Sequence, residues 1–417
     1  MLGRAIAISA ALVLAGCHHV NDLFTVDGGD AGSDTETQGP PPVFPAVDML
    51  VVVDDSSSMS EEQSMLSTAV FQLFSAFVDP GGGQLEIDDL RLAVTSSDLG
   101  MSWGGNPYQP GDGWPEDNIP CTVAGDDGEL QKYADGMQVD LASGAIPCQA
   151  GYGQCPPGWS CQLSEGIDGV CVAPDGDGSN QSCPPLDDPL VESADVSSGA
   201  EVAIQVACLV QLGTSGCGFE QQLQAATRAL TREDHEGFVR SDALLTVLVV
   251  TDEGDCSMRD GPALFAEDEI QDPESNEINL ACGNHPEHLY APSHYKERLA
   301  ELKGGDPRAV VFAAITGVPI DDVCQGPGDQ LGGCLSHEKM KLVPEMESSR
   351  SGSFWTFRPA CERVEDSELV TRARPGRRFV ELAMEFGAGG YVASICNENW
   401  QSAMADLAAL IEERVED

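Results

Sequence analysis

Positive charge is what this chain of 417 residues has least of: 21 Lys and Arg stand against 69 Asp and Glu, for a formal charge of −48. That balance excludes a nucleic-acid binder, because such a surface repels phosphate backbones, and it makes cations, metal ions included, the natural charged partners. No apolar run reaches the ~20 residues that a bilayer crossing takes. Familiar catalytic and nucleotide-binding signatures are missing as well. There is no HExxH, Walker loop or GxGxxG, and GTSGCG lacks the second glycine where a nucleophile elbow needs it. No histidine lies close in sequence to the serines that follow Asp54, so a serine hydrolase has no evident base and a non-enzymatic protein is expected. With 41% apolar residues, the chain can nevertheless bury a large core, so its acidity is not the mark of a disordered polymer. The length allows two or three domains, or one large α/β domain with insertions.

What is abundant is cysteine, 15 in all, which is many for a cytosolic protein. Residues 1–17 read MLGRAIAISAALVLAGC: one arginine, an apolar stretch from Ala5 to Ala15, and small residues running into Cys17. This is a secretory signal pattern. Leu14-Ala15-Gly16-Cys17 resembles the lipobox of bacterial lipoproteins, which implies lipidation of Cys17, export, and membrane attachment through a lipid anchor alone. His18 is not the Asp that resembles an inner-membrane retention signal, so the outer membrane or cell surface is the expected address. Fifteen cysteines less Cys17 leaves 14, an even number that suits full oxidation outside the cytoplasm.

Residues 18–45, acidic and rich in Gly and Pro, read as a self-repelling tether. From Ala46 the pattern changes. AVDMLVVV is a short continuous apolar run, as expected of a parallel strand buried on both faces. Ser60 and Gln63 suggest a capping box, and Leu66, Ala69, Val70, Leu73, Phe74 and Phe77 follow at helical spacing. Further strands are expected at 90–97, 243–250, 309–316 and 391–395, with helices from near Glu220, around His294–Lys303, at 378–386 and from about Trp400 to Val415. Strands alternating with helices predict an α/β fold, a doubly wound and mainly parallel sheet over 46–415. The stretch 100–200 breaks that rhythm. It holds Cys121, Cys148, Cys155, Cys161, Cys171 and Cys183 among Gly, Pro and Asp, and reads as a disulfide-rich insert rather than a second globular domain.

Ligands of doubly wound sheets sit beyond the carboxyl ends of the strands. There stand Asp54-Asp55-Ser56-Ser57-Ser58-Met59-Ser60 and Thr251-Asp252-Glu253-Gly254-Asp255. A turn presenting Asp54, Ser56 and Ser58, completed by Asp252, makes an all-oxygen site for a hard divalent cation, Mg²⁺ first, with Mn²⁺ or Ca²⁺ as substitutes. VVVDDSSSMS and VLVVTDEGD are similar to the metal motifs of the von Willebrand factor A domain family, and the strands and helices from 46 to 415 follow that family's order. The resemblance implies a Rossmann-like fold and a metal-ion-dependent adhesion site at Asp54, Ser56, Ser58 and Asp252. Hydroxyls there touch the metal, carboxylates act largely through water, and a partner protein's acidic side chain takes the open position. The family's further threonine is matched less cleanly. Thr214 is available, yet counting back from Leu223 lands on Cys217, and Glu220 or water could serve instead; a Glu would weaken the pull on a ligand carboxylate. The rival readings are an envelope scaffold whose metal only braces loops and, less favoured, a metal-dependent hydrolase.

Weaker signals remain. Cys208 and Cys217 flank the Thr214 loop at a spacing that suits a local disulfide, and Cys256 lies just past Asp252. Cys282, His285, His288 and His294 carry zinc-type donors, but an exported cysteine is expected to be oxidised and histidines in a loop to lie at the surface, so no zinc site is expected. Asp175, Asp177, Ser179 and Asn180 alternate like a calcium loop without its twelfth-position acid, and read as a solvated turn. Arg372, Arg374, Arg377 and Arg378 are expected to cap a helix or pair with nearby acids.

Overall fold

The structure is a computed structural model that describes residues 41–415 apart from 77–86, 88, parts of 104–187, 196–198, 273–274, 350–351 and 366. The signal, Cys17, most of the tether, Phe77, Cys121, Cys155 and the Asp175 turn fall outside the described residues.

The apolar runs form the sheet. β1 (Ala46–Val53) pairs in parallel with β2 (Leu90–Ser96) on one side and with β4 (Ala243–Val250) on the other. β5 (Val310–Thr316) and β11 (Gly390–Ser394) continue the parallel order beyond β4. Two short antiparallel strands, β3 (Val191–Glu192) beside β2 and β6 (Gly326–Pro327) beside β11, finish the edges. Every residue of β1, β4 and β5 is buried, which is why these strands are continuous apolar runs rather than alternating ones. The one charged residue among them, Asp48, is buried and takes Arg240 Nε at 2.7 Å.

Alternate side chains of the strands serve opposite faces. Val51, Val53 and Leu248 pack with α1 (Ser60–Ala76), α2 (Gly199–Leu209) and α6 (Gln401–Glu412), while Leu50, Val52, Leu245 and Val247 pack with α3 (Gln222–Thr231), α4 (Pro292–Leu302) and α5 (Arg377–Phe386). The sequence reading contains no α2. Val202 to Leu209 are all buried, so that helix has no polar stripe to announce its period. The capping box is not what Gln63 makes. Its amide donates to the carbonyls of Asp54 (2.9 Å) and Gly213 (2.8 Å), tying the β1 turn to the 213 loop.

Two further departures matter for the site. Residues 317–376, left unassigned by periodicity, hold two antiparallel hairpins, β7 (Pro344–Ser349) with β8 (Gly352–Phe357) and β9 (Cys361–Glu365) with β10 (Glu368–Ala373). The insert is also not confined to its own cysteines. Cys183 is bonded to Cys208 of α2, and Leu130 returns to the core beside β2, where Gln131 N donates to Val94 O at 2.7 Å. Its described strands form small antiparallel sheets, Gln138–Asp140 with Asn180–Ser182, and Pro147–Gln149, Ser160–Glu165 and Asp168–Val172 together.

Candidate metal centre

Taken in chain order, the five parallel strands lie as second, first, third, fourth, fifth, so the connections leave β1 in opposite directions and the topological switch falls between β1 and β4. Such a switch opens a crevice at the carboxyl ends of the strands. Val53 and Val250 are in register, which sets Asp54 beside Thr251 and Asp252 at the mouth of that crevice.

The four residues singled out in the sequence are joined there. Asp54 Oδ1 accepts from Ser56 N at 2.9 Å, and Oδ2 accepts from the Thr251 hydroxyl at 2.6 Å. Ser56 Oγ lies 3.2 Å from Ser58 Oγ, and Ser58 Oγ donates to Asp252 Oδ1 at 3.1 Å. Asp54 and Asp252 are buried, whereas Ser57 and Ser58 are exposed, so the cluster opens to solvent at Ser58.

Charge is concentrated around it. Burial pushes the Asp54 carboxyl above the usual range, against the hydrogen bonds of Thr251 and Ser56. Burial, then the charges of Glu253 and Asp54, hold Asp252 well above it. Glu220 is raised in the same way by burial and by Asp54, Glu253 and Asp252. Glu253 reaches about 7 by burial, although Arg374 pulls it down. Among the described residues no ion pair reaches Asp54, Glu220 or Asp252, and Glu253 has only Arg374 Nε at 3.8 Å. Asp54, Glu220 and Asp252, crowded with no ion-pair partner among the described residues, are together with the hydroxyls the donor set of a hard divalent ion, so the residues fit one.

Glu220, not Thr214, lines the cavity shared with Ser56, Ser58 and Asp252, and the 213–216 segment is tied to Gln63 and to the β1 turn. Gln63 Oε1 accepts from Gly213 N at 3.1 Å, and Gly216 N donates to Asp55 O at 2.9 Å. A Cβ on Gly216 would stand 2.2 Å from the Asp55 carboxyl group, so only glycine fits. Asp55 itself is pushed to about 8 by burial and by Asp98, Asp54 and Asp126. The local pairing of Cys208 with Cys217 is also corrected. Cys208 lies in α2 with its sulfur on Cys183, and Cys217 is disulfide-bonded elsewhere.

The cavity measures about 490 Å³, with the metal-type residues on one wall and Phe354, Phe357 and Leu369 of the hairpins on another. No histidine lines it, so among the lining residues the bases at hand for a metal-assisted hydrolase are carboxylates, such as Glu220 and Glu253. The arginine cluster builds this wall. Arg374 N donates to Asp252 O at 2.7 Å, its guanidinium pairs with Glu347 of β7 and bonds Phe357 O at 3.2 Å. Arg372 takes Glu347 at 2.6 Å and Glu362 at 2.8 Å, and Arg378 takes Asp255 at 2.8 Å. The run of arginines was the sequence signal for this wall, but not for the hairpins it fastens.

A second group of donors lies after β4. Glu267, His285 and His288 each offer a ligand atom, all within 4.8 Å of one another. It differs from the zinc-type set read in the sequence. Cys282 is bonded to Cys256, and His294 stacks on Tyr290 with ring centroids 4.3 Å apart. No protein-family model matches the chain, and no curated protein matches it.

Proposed function

We propose that this is a non-enzymatic, exported and lipid-anchored protein with a von Willebrand factor A-like domain. In this reading it binds Mg²⁺, or Mn²⁺ or Ca²⁺, through Asp54, Ser56, Ser58 and Asp252 and uses the ion to hold an acidic side chain of a partner protein. The observation that carries it is the hydrogen-bonded chain from Asp54 through the Ser56 amide and the Ser56 and Ser58 hydroxyls to Asp252, set at the switch point of a parallel sheet and open to solvent at Ser58. An ion with few direct anionic ligands stays electrophilic, and its open position favours a carboxylate. Among the described residues no helix is long and apolar enough to cross a membrane, and attachment through Cys17 rests on the lipobox pattern alone.

Glu220 favours a second reading, a scaffold in which the ion only braces the crevice. A buried carboxylate beside the metal would add negative charge and weaken the pull on a ligand carboxylate. One experiment separates the two. The full chain is titrated with Mg²⁺ by calorimetry, then used to capture envelope proteins with Mg²⁺ or with EDTA. Adhesion requires Mg²⁺-dependent capture that Asp54→Ala abolishes and that a soluble acidic peptide competes away. Mg²⁺ binding with capture indifferent to EDTA leaves the bracing role, and absence of Mg²⁺ binding overturns both.

A further inference from the structure

We infer that Glu267, His285 and His288 form a second metal site, of a different chemical class from the first: a borderline transition ion, Zn²⁺ foremost, bound by two imidazoles and a carboxylate. The inference does not rest on the function proposed above.

The geometry is that of a site with its supports already in place. His288 Nε2 lies 2.8 Å from Glu267 Oε1, and His285 Nδ1 lies 3.5 Å from the same oxygen. Two ring nitrogens thus face one carboxylate, and a metal ion would replace the protons that now fill those contacts. The other nitrogen of His285, Nε2, stands 3.2 Å from both oxygens of Glu269, whose Oε1 also accepts from Asn284 Nδ2 at 3.0 Å. A carboxylate on the far nitrogen fixes the tautomer that leaves Nδ1 free to ligate and holds the ring in position, which is the arrangement that supports histidine ligands of metals. Glu287 Oε1, 3.6 Å from His285 Nδ1, or a water would complete four-coordination.

The backbone is pinned under these side chains. His285 N donates to Ala281 O at 2.9 Å, and the amides of Arg259 and Asp260 donate to His288 O at 2.8 and 3.0 Å. Leu264, Phe265, Ile270, Ala281 and Leu289 pack beneath as a small core of their own, and the Cys256–Cys282 bond ties this platform to the segment after Asp252. His285 and His288 have 19% and 17% of their side chains exposed, so both rings are anchored yet reachable. Imidazole nitrogens select Zn²⁺, Cu²⁺ and Ni²⁺ over Mg²⁺ and Ca²⁺. The two sites therefore need not compete for one ion.

The test is Zn²⁺ titration of the full chain in saturating Mg²⁺, read by competition with a chromophoric chelator. One equivalent of Zn²⁺ is expected to bind. His285→Gln and His288→Gln should each weaken it by at least about 100-fold, and Glu269→Gln, which removes only the support, by about 10-fold or more. Co²⁺ should give visible absorption bands that disappear in the histidine variants, and far-ultraviolet circular dichroism checks that each variant is folded. Two results overturn the inference: no Zn²⁺ uptake in the presence of Mg²⁺, or uptake and Co²⁺ spectra unchanged in folded His285→Gln and His288→Gln. Should a histidine variant fail to fold, Glu267→Gln carries the same test.

Discussion

The hydroxyl of Ser58 donates to Asp252 Oδ1 across 3.1 Å, joining residues 194 positions apart. The contact spans the switch point, so the two strand ends form one site only if β1 and β4 are neighbours in the register observed. Asp252 is the acidic end of this hydrogen-bonded chain, and its loss should weaken Mg²⁺ binding by about 10- to 100-fold, the worth of a hydrogen bond to a charged group. Ser58→Ala should cost less. Asp252→Asn is also expected to stabilise the metal-free protein at neutral pH, because it removes a carboxyl whose ionised form burial and neighbouring acids disfavour in the folded state. Calorimetric titration and thermal unfolding measure the two effects, and full Mg²⁺ affinity in Asp252→Ala would remove the residue from the site.

How much of this was legible in the sequence follows from which signals periodicity carries. β1, β4 and β5 were legible because burial on both faces leaves continuous apolar runs. That Asp54, Ser56, Ser58 and Asp252 come together was legible because these residues stand at strand ends, where topology places ligands. The hairpins were not. β9 reads Cys361-Glu-Arg-Val-Glu365, with Arg363 buried and Val364 exposed, so its pattern is inverted with respect to hydrophobicity. Glu220 on the cavity wall was legible only as an alternative to Thr214, since the path between Cys208 and Leu223 is set by Gln63, Gly216 and the disulfide of Cys208 rather than by any repeat.

That disulfide gives a sharp prediction. Cys183 and Cys208 enclose a separation of 25 residues, and closing such a loop in the unfolded chain is worth about 3 kcal/mol. The Cys183→Ser/Cys208→Ser double variant should lower the urea unfolding free energy by about that amount. Peptide mapping without reduction should recover Cys183 linked to Cys208, and a Cys208–Cys217 peptide would contradict the fold at α2.

Glu62 supplies the pH dependence. It sits in α1 with 1% exposure, and burial raises its carboxyl above the ordinary value, a hydrogen bond from Thr371 and, less, the charge of Arg363 offsetting this only in part. A raised folded pKa means that the folded state holds the proton when the unfolded chain has released it. Stability from this residue therefore falls as pH rises above the ordinary glutamate range. Glu62→Gln should remove that fall and give a protein more stable than the parent near neutral pH, the difference vanishing at about pH 4. Urea midpoints across this range decide it, and a variant less stable at pH 7 would show that the ionised Glu62–Arg363 attraction outweighs burial.

The hairpins offer the means to separate partner capture from metal binding. Met346 and Leu369 are large apolar side chains left 56% and 46% exposed, and Leu369 lines the same cavity as Asp252. Neither belongs to the hydrogen-bonded chain, so Leu369→Asp and Met346→Asp should leave Mg²⁺ affinity within about twofold of the parent, as expected of surface changes. If a partner docks over the ion, its acidic residue must enter past Leu369, whereas Met346, next to the cavity-lining Glu347 on its strand, serves as the control on the opposite face. An aspartate in place of Leu369 then opposes it twice, by losing apolar contact and by repelling the incoming carboxylate. Capture should drop by at least about tenfold in Leu369→Asp, the effect of disrupting a central contact, and little in Met346→Asp. Surface plasmon resonance with a captured partner reads this directly. Undiminished capture in Leu369→Asp would place the docking surface away from the hairpins, and weakened Mg²⁺ binding would mean that the hairpin wall, through Arg374 and the Asp252 carbonyl, shapes the metal site itself.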